Sequence, residues 1–206
     1  MSSAIVVSMA AFALAASLSP GPVNLVALST GLSYGFRHSL RHVSGATCGF
    51  TLLLLSIGWA LQPILNWPPA MIAIRWAGVL FLLYMSVGLA LDDGHLRARD
   101  THRASFRRGA LMQWLNPKAW MASAAGTGAY TAAGSAGSVA LFALIFFVIC
   151  YLSLASWAAL GAWLGSRLPT PRQVRWINRG LALMLLLSAS SLAVVPLGDT
   201  GQASLR

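Results

Sequence analysis

Long apolar stretches alternate with short polar ones along the whole chain. Six apolar segments can be distinguished, at approximately residues 4–32, 43–61, 70–91, 110–133, 139–164 and 176–197. Each approaches or exceeds the roughly 20 residues that an α-helix needs to cross a hydrocarbon core about 30 Å thick. The pattern predicts an all-α integral membrane protein with six transmembrane helices.

The fourth segment, residues 110–133, is weaker than the others because Ala, Gly, Ser and Thr are common in it. Small residues suit a helix that packs closely among other helices instead of facing lipid. The pattern favours a full span here, and a re-entrant hairpin stays open as the alternative.

The composition agrees with a membrane protein in contact with the lipid bilayer. Of the 206 residues, 57% are hydrophobic and 9% are charged, whereas soluble domains carry about 25% charged residues. The mean hydropathy is +0.71. The formal net charge of +10 does not indicate nucleic-acid binding, because the arginines lie in short gaps between apolar spans and no RNA- or DNA-binding motif accompanies them.

The loops between the segments alternate between arginine-rich and uncharged. Arginines lie in the first, third and fifth loops, whereas the second loop (62–69) and the fourth (133–138) carry no charge. Since cytoplasmic loops are enriched in Lys and Arg, the odd-numbered loops are predicted to be cytoplasmic and both termini to lie outside. The first segment lacks the basic start of a signal peptide and is predicted to be the first half of a retained transmembrane helix.

The third loop, residues 92–107, divides one transmembrane domain (1–206) into two halves. It is too short to form a domain, so we predict repeat one at residues 1–91 and repeat two at residues 108–206. A shift of about a hundred residues places Pro20 near Pro117 and Cys48 near Cys150. Because each half has three spans, the second half is inverted relative to the first, as in many secondary transporters.

Proline and asparagine occur together at two places, in the first and the fourth segment. These motifs are Ser19-Pro20-Gly21-Pro22-Val23-Asn24 and Leu115-Asn116-Pro117-Lys118-Ala119. Proline breaks a helix, and irregular backbone at membrane depth is tolerated only where protein or a polar cavity satisfies the freed groups. A helix that restarts after such a break offers unpaired N–H groups and partial positive charge, which suit a carboxylate. The pair of breaks therefore predicts a transporter's substrate site.

A simpler interpretation of these motifs stays open. The prolines would then only kink packed helices, and Lys118, the chain's only lysine, would extend its ammonium group to the cytoplasmic surface.

The remaining candidate groups give weaker signals. No Cys/His cluster has the spacing of zinc ligands, so we expect no metal site. We also expect no cofactor and, for a transporter, no enzymatic activity. Cys48 and Cys150 lie within apolar runs and are predicted to be small buried side chains, although they would also allow a transmembrane thiol or electron carrier. The pairs Gly45/Gly49 and Gly161/Gly165 are GxxxG motifs, which indicate helix packing. No Asp or Glu lies within a predicted span, so the sequence does not name a coupling group.

Two signatures resemble those of the lysine-exporter (LysE/RhtB) translocator family. The first is Ser-Pro-Gly-Pro-x-Asn at residues 19–24, followed by Gly35-Phe36-Arg37. The second begins at Phe106 and Gly109 and ends in Leu115-Asn116-Pro117-Lys118-Ala119. Their order and spacing, and the total length, agree with the family over nearly the whole chain.

This resemblance implies a multi-pass protein of the bacterial inner membrane that exports amino acids or related small metabolites. The residues that it marks as substrate-binding are Pro20, Gly21, Pro22, Asn24, Asn116, Pro117 and Lys118. Many relatives carry an acidic residue after the glycine that matches Gly49, where this chain has Phe50. The resemblance therefore names neither the substrate nor the coupling ion.

We accordingly expect a secondary carrier that works by alternating access, with the substrate bound between the two broken helices. The alternatives are the thiol carrier that uses Cys48 and Cys150, and a structural membrane subunit without transport of its own. A homo-oligomer is compatible with the sequence but is not indicated by it.

Overall fold

The computed structural model describes residues 2–61, 67–91, 93, 105–131, 135–167 and 170–194. Most of the third loop, including Arg97, Arg99 and Arg103, lies outside these residues, as do parts of the second and fourth loops and the two chain ends. The described part is helical and contains no strand, which confirms the all-α fold class. Its helices are α1 Ser3–Leu18, α2 Pro22–Tyr34, α3 Phe36–Ser56, α4 Pro68–Ala90, α5 Phe106–Trp114, α6 Pro117–Tyr130, α7 Ala136–Arg167 and α8 Pro171–Val194.

Within the described residues, three helices are by themselves long and apolar enough to cross a membrane. They cover Phe36–Ala60, which includes a π-helical end of α3, together with Pro68–Ala90 and Ala136–Arg167. The pair α1 and α2 passes the same test when taken together, with a bend of 62° between the two helices. Length and composition thus support three or four spans, and the count of six stays a prediction.

The distribution of side chains is that of a protein whose surface faces lipid. Large apolar residues lie on the outside of the helices, for example Leu80 at 65% exposure and Leu187 at 60%. The interior holds polar side chains such as His42, Thr47 and Asn178, which are fully buried. Tryptophans with about half or more of their surface exposed lie within two turns of a helix end at positions 59, 67, 163 and 176, and Trp76 lies further inside α4.

Glycines bring α2 and α7 into backbone contact. A Cβ atom on Gly161 would lie 2.0 Å from the carbonyl oxygen of Leu28, and one on Gly31 would lie 2.0 Å from that of Ala158. Such distances are far below van der Waals contact, so these positions accept no side chain. Helix α2 is consequently buried along its length, from Pro22 to Ser33.

The GxxxG motif at Gly45 and Gly49 joins α3 to α5 in the same way. A Cβ atom on Gly45 would lie 2.0 Å from the Phe106 carbonyl oxygen, and one on Gly49 would lie 2.6 Å from the Cα atom of Ala110. From the other side, a Cβ atom on Gly109 would lie 2.4 Å from the His42 carbonyl oxygen. The prediction that both GxxxG motifs serve helix packing is confirmed.

The remaining contacts complete a bundle around α3 and α7. These two helices pack against each other, α1 packs against α7, and α4 packs against α8. Arg75 of α4 donates a hydrogen bond to the carbonyl oxygen of Ala193 near the end of α8. The Arg75 guanidinium group therefore links α4 to α8.

Candidate functional site: a cavity between two helix breaks

The first break separates α1 from α2. Helix α1 ends at Leu18, Ser19 and Gly21 have extended backbone, and α2 begins at Pro22. Proline is favourable at the first position of a helix, where its missing N–H would have no partner in any case. The side-chain amide of Asn24 donates hydrogen bonds to the carbonyl oxygens of Ser17 (2.8 Å) and Ser19 (3.3 Å). Asn24 therefore satisfies backbone groups that the break has released from helical pairing.

The second break separates α5 from α6. Helix α5 ends at Trp114, and α6 begins at Pro117. Asn116 caps the new helix, since its side-chain oxygen accepts a hydrogen bond from the backbone N–H of Lys118 at 3.2 Å. The indole N–H of Trp120 donates to the carbonyl oxygen of Trp114 at 2.8 Å. Side chains of α6 thus stabilise the turn that precedes it.

The two motifs, 97 positions apart at Pro20 and Pro117, meet in space. The ammonium group of Lys118 donates to the side-chain oxygen of Ser19 at 2.6 Å and lies 3.3 Å from the Ser19 carbonyl oxygen. It also lies 3.4 Å from the position that a Cβ atom on Gly21 would occupy. Lys118 therefore contacts the first motif with a side chain that is also exposed at the surface.

A cavity of about 40 Å³ lies between the two breaks. At roughly 10–15 Å³ per water molecule, it has room for about three waters. Four of the seven predicted site residues line it, namely Gly21, Asn24, Asn116 and Lys118. The three prolines do not line it, and their part is to shape the backbone around it.

The cavity wall also contains residues that sequence reasoning missed. Phe50 and Phe146 stack at a centroid distance of 4.2 Å and form an apolar side. Gln113 is 5% exposed, and its amide makes no hydrogen bond to another described residue. The Ser17 hydroxyl is buried without a hydrogen-bond partner. Polar side chains in apolar segments within a few residues of the motifs, as Ser17 and Gln113 are, would have been a usable signal.

Cys150 is the other unexpected member of the cavity wall. It is 4% exposed and shares this wall with Lys118, although neither cysteine adjoins a proline or a cation in the sequence. Cys48 does not line the cavity, and both thiols are free. The cavity thus offers one thiol and not a pair.

The charges around the cavity favour an anion. Lys118 is the one cation among its described lining residues, and no carboxylate is among them. Val23 and Asn24, in the first turn of α2, also line the cavity, and N–H groups in a first turn have no partner within their helix. The cavity thus has a cationic, N–H-rich end and an apolar end formed by the two phenylalanines.

The fold and this cavity define a helical membrane protein with an internal polar site. The family described as LysE type translocator matches residues 14–195. The chain therefore belongs to the LysE translocator family, whose members are transporters, as the two signatures predicted.

Relatives of this chain are efflux proteins of enteric bacteria. It is 30% identical over 108 residues to the cysteine/O-acetylserine efflux protein of Escherichia coli O1:K1 / APEC, a match that covers 52% of this chain and 55% of the relative. Proteins of the same description from Escherichia coli strain K12 and Shigella flexneri serotype 5b are 29% identical with the same coverage. The chain thus matches about half the length of these relatives. No solved structure matches it.

Proposed function

We propose that this chain exports a small amino acid or a closely related metabolite from the cytoplasm across the bacterial inner membrane. The observation that carries the proposal is the contact between Lys118 of the second motif and Ser19 of the first, at a cavity lined by both motifs. Membership in the translocator family and relatives named for the efflux of cysteine and O-acetylserine support it.

The substrate carboxylate binds at Lys118 and at the first turn of α2. A charge-assisted hydrogen bond from an ammonium group is stronger than one between neutral partners. The unpaired Ser17 hydroxyl and the Gln113 amide offer acceptors for the substrate ammonium group. The substrate side chain packs on Phe50 and Phe146. Because the cavity holds only about three waters, it has to widen before an amino acid binds.

The chain consists of two inverted repeats of three spans each, at residues 1–91 and 108–206, joined by the loop at 92–107. In this arrangement α1 and α2 correspond to α5 and α6, α3 corresponds to α7, and α4 corresponds to α8. The packing supports the correspondence, since the α1–α7 contact has its counterpart in α5–α3 and the α2–α7 contact in α6–α3. When the two repeats are exchanged, the contact between α3 and α7 becomes the same contact again, and so does the one between α4 and α8.

A difference in extent between the α2–α7 contact and its counterpart α6–α3 supports alternating access. Helix α2 packs against α7 much more extensively than α6 packs against α3. If the repeats exchange conformations, the tight contact moves from one side of the cavity to the other, and access to the site changes sides. The Lys118–Ser19 hydrogen bond joins the two breaks in the present state and has to open during this exchange.

The proposal is tested by measuring export from cells. Cells that express the chain and cells that lack it are loaded with a panel of dipeptides and toxic amino-acid analogues, including precursors of cysteine and O-acetylserine. We expect one chemical class of amino acid to accumulate outside only the expressing cells. Equal external concentrations for every member of the panel would refute the proposed function.

A further inference from the structure

A second cavity, of about 200 Å³, lies between α2, α4 and α5 and shares no lining residue with the central one. Its volume is five times that of the central cavity. At the same volume per water, it has room for about fifteen waters or more, which exceeds the size of a small amino acid.

Helix α2 gives this cavity a row of hydroxyl groups. Ser29, Thr30 and Ser33 are spaced to lie on one side of the helix, and each is at most 7% exposed. Ser29 donates to the side-chain oxygen of Asn178 at 3.2 Å, and Thr30 donates to the carbonyl oxygen of Ala27 at 2.9 Å. The Ser33 hydroxyl makes no hydrogen bond to another described residue. A polar wall inside a membrane protein therefore has unused capacity for a ligand.

The opposite wall carries a cation. The guanidinium group of Arg108, near the start of α5, donates to the Tyr84 hydroxyl at 3.3 Å and lies 5.9 Å from the centre of the Tyr84 ring. No carboxylate is among the described lining residues. A guanidinium group has five N–H donors in a planar fork that matches a carboxylate. Among the described residues, Arg108 donates a side-chain hydrogen bond to this phenol, and the other donors of the fork suit a carboxylate.

Helix α2 connects the two cavities. Asn24 lines the central cavity, and Ser33 lines the second one, nine residues further along the same helix. At 1.5 Å per residue, the two positions are about 14 Å apart along the helix axis. A carboxylate held beside Ser33 is thus well separated from one held at the first turn of α2, although the lining of the second cavity already begins at Val26. The arginines in the first turns of α3, Arg37 and Arg41, and the arginines of the third loop before α5 place the second cavity on the predicted cytoplasmic side.

We infer that the second cavity is a cytoplasmic entry site for a small molecule with one carboxylate, which Arg108 binds before the molecule reaches the central cavity. This inference rests on the proposed export function. An anionic lipid headgroup is the competing occupant, because Tyr84 is 60% exposed on the side of the bundle that faces lipid. The internal hydroxyls of α2 favour the carboxylate compound, since they line the cavity from the buried helix and not from the lipid-facing one.

The test uses purified full-length protein in inside-out vesicles, with transport measured against the concentration of the best-exported amino acid on the cytoplasmic side. Arg108→Gln is expected to raise the half-saturating concentration about tenfold and to change the maximum rate less than twofold. Arg107→Gln is the matched control, since its exposed side chain lines neither cavity, and it is expected to behave as the unmodified chain. An unchanged half-saturating concentration in Arg108→Gln would overturn the inference.

Two further experiments complete the test. The first distinguishes a carboxylate compound from a lipid as the occupant, and the second detects binding without relying on transport by the Arg108 variant. If the Arg108→Gln defect occurs in vesicles with phosphatidylglycerol and is absent in pure phosphatidylcholine, the site binds lipid and the inference is wrong. Independently of transport, Ser33→Cys is labelled with a thiol reagent in a background that carries Cys48→Ser and Cys150→Ser, since Cys150 lines the central cavity. We expect at least one panel compound with a single carboxylate to slow this labelling. Absence of protection by every compound would also overturn the inference, whereas absence of transport with protection intact would refute only the export function.

Discussion

Replacement of Lys118 by methionine removes the positive charge of the central cavity and keeps a chain of similar shape. Hydrogen bonds to charged groups contribute about 1.5–3 kcal/mol. Since about 1.4 kcal/mol corresponds to a factor of ten, the ratio of maximum rate to half-saturating concentration should fall roughly 10- to 150-fold. The ammonium group also holds Ser19 at 2.6 Å, so part of the loss comes from this contact and has to be separated from substrate binding.

Ser19→Ala makes that separation possible. It removes the hydroxyl partner and leaves the charge of Lys118, so we expect its transport to stay within about threefold of the unmodified chain. The assay is uptake of radiolabelled substrate by vesicles that contain equal amounts of purified protein, with Arg107→Met as a charge control outside the cavity. A second measurement compares the substrate with its carboxamide, which has no carboxylate for Lys118 to bind. The unmodified chain and Lys118→Met should transport this carboxamide at the same low rate, so Lys118→Met should lose the preference for the substrate.

Either of two results would refute direct binding of the substrate by Lys118. If Ser19→Ala loses as much transport as Lys118→Met, and the double variant loses no more than either, then Lys118 acts only by holding Ser19. Full discrimination against the carboxamide by Lys118→Met would lead to the same conclusion.

Three other predictions follow from the packing, the thiols and the loop charges. Gly161→Ala should strongly reduce the yield of folded protein, because its Cβ would meet the Leu28 carbonyl oxygen at 2.0 Å. Gly180→Ala is the control, since Gly180 has open space around it and its yield should not change. Equal yields of the two variants in detergent gel filtration would contradict the α2–α7 contact. Cys48→Ser should export at the normal rate, and lost activity together with redox-dependent thiol labelling would instead favour the electron carrier. Single cysteines placed at residue 2 should react with an impermeant reagent added to intact spheroplasts, and protection there would overturn the predicted orientation.

The helices were largely predictable from the sequence because lipid imposes a simple rule on it. A segment must be apolar over about 20 residues, and most of the charged residues lie in the loops or in the end turns of the helices. The predicted segment at 70–91 therefore agrees closely with α4, Pro68–Ala90, and the one at 139–164 lies within α7. The ends of α7 extend beyond the apolar run because a helix does not stop where the hydrocarbon core stops.

The candidate site was predictable only in part. Proline and asparagine marked both breaks, since few other residues disturb a helix in this way. Periodicity within one segment does not reveal which residues of distant segments share a cavity, so Gln113, Phe146 and Cys150 were missed. The pairing of Lys118 with Ser19 depends on how the two halves pack, which is a property of the folded bundle.

The most direct test of one site formed by both motifs is substrate flux in vesicles that contain only purified Asn24→Ala or Asn116→Ala protein. Asn24 bonds two released carbonyl groups, and Asn116 caps α6, so each change should abolish flux while the protein still inserts and elutes as the unmodified chain does. Gln173→Ala, an exposed amide that lines neither cavity, should transport normally. Normal flux in both asparagine variants would contradict the assignment of the site, and no flux from the unmodified protein would contradict transport itself.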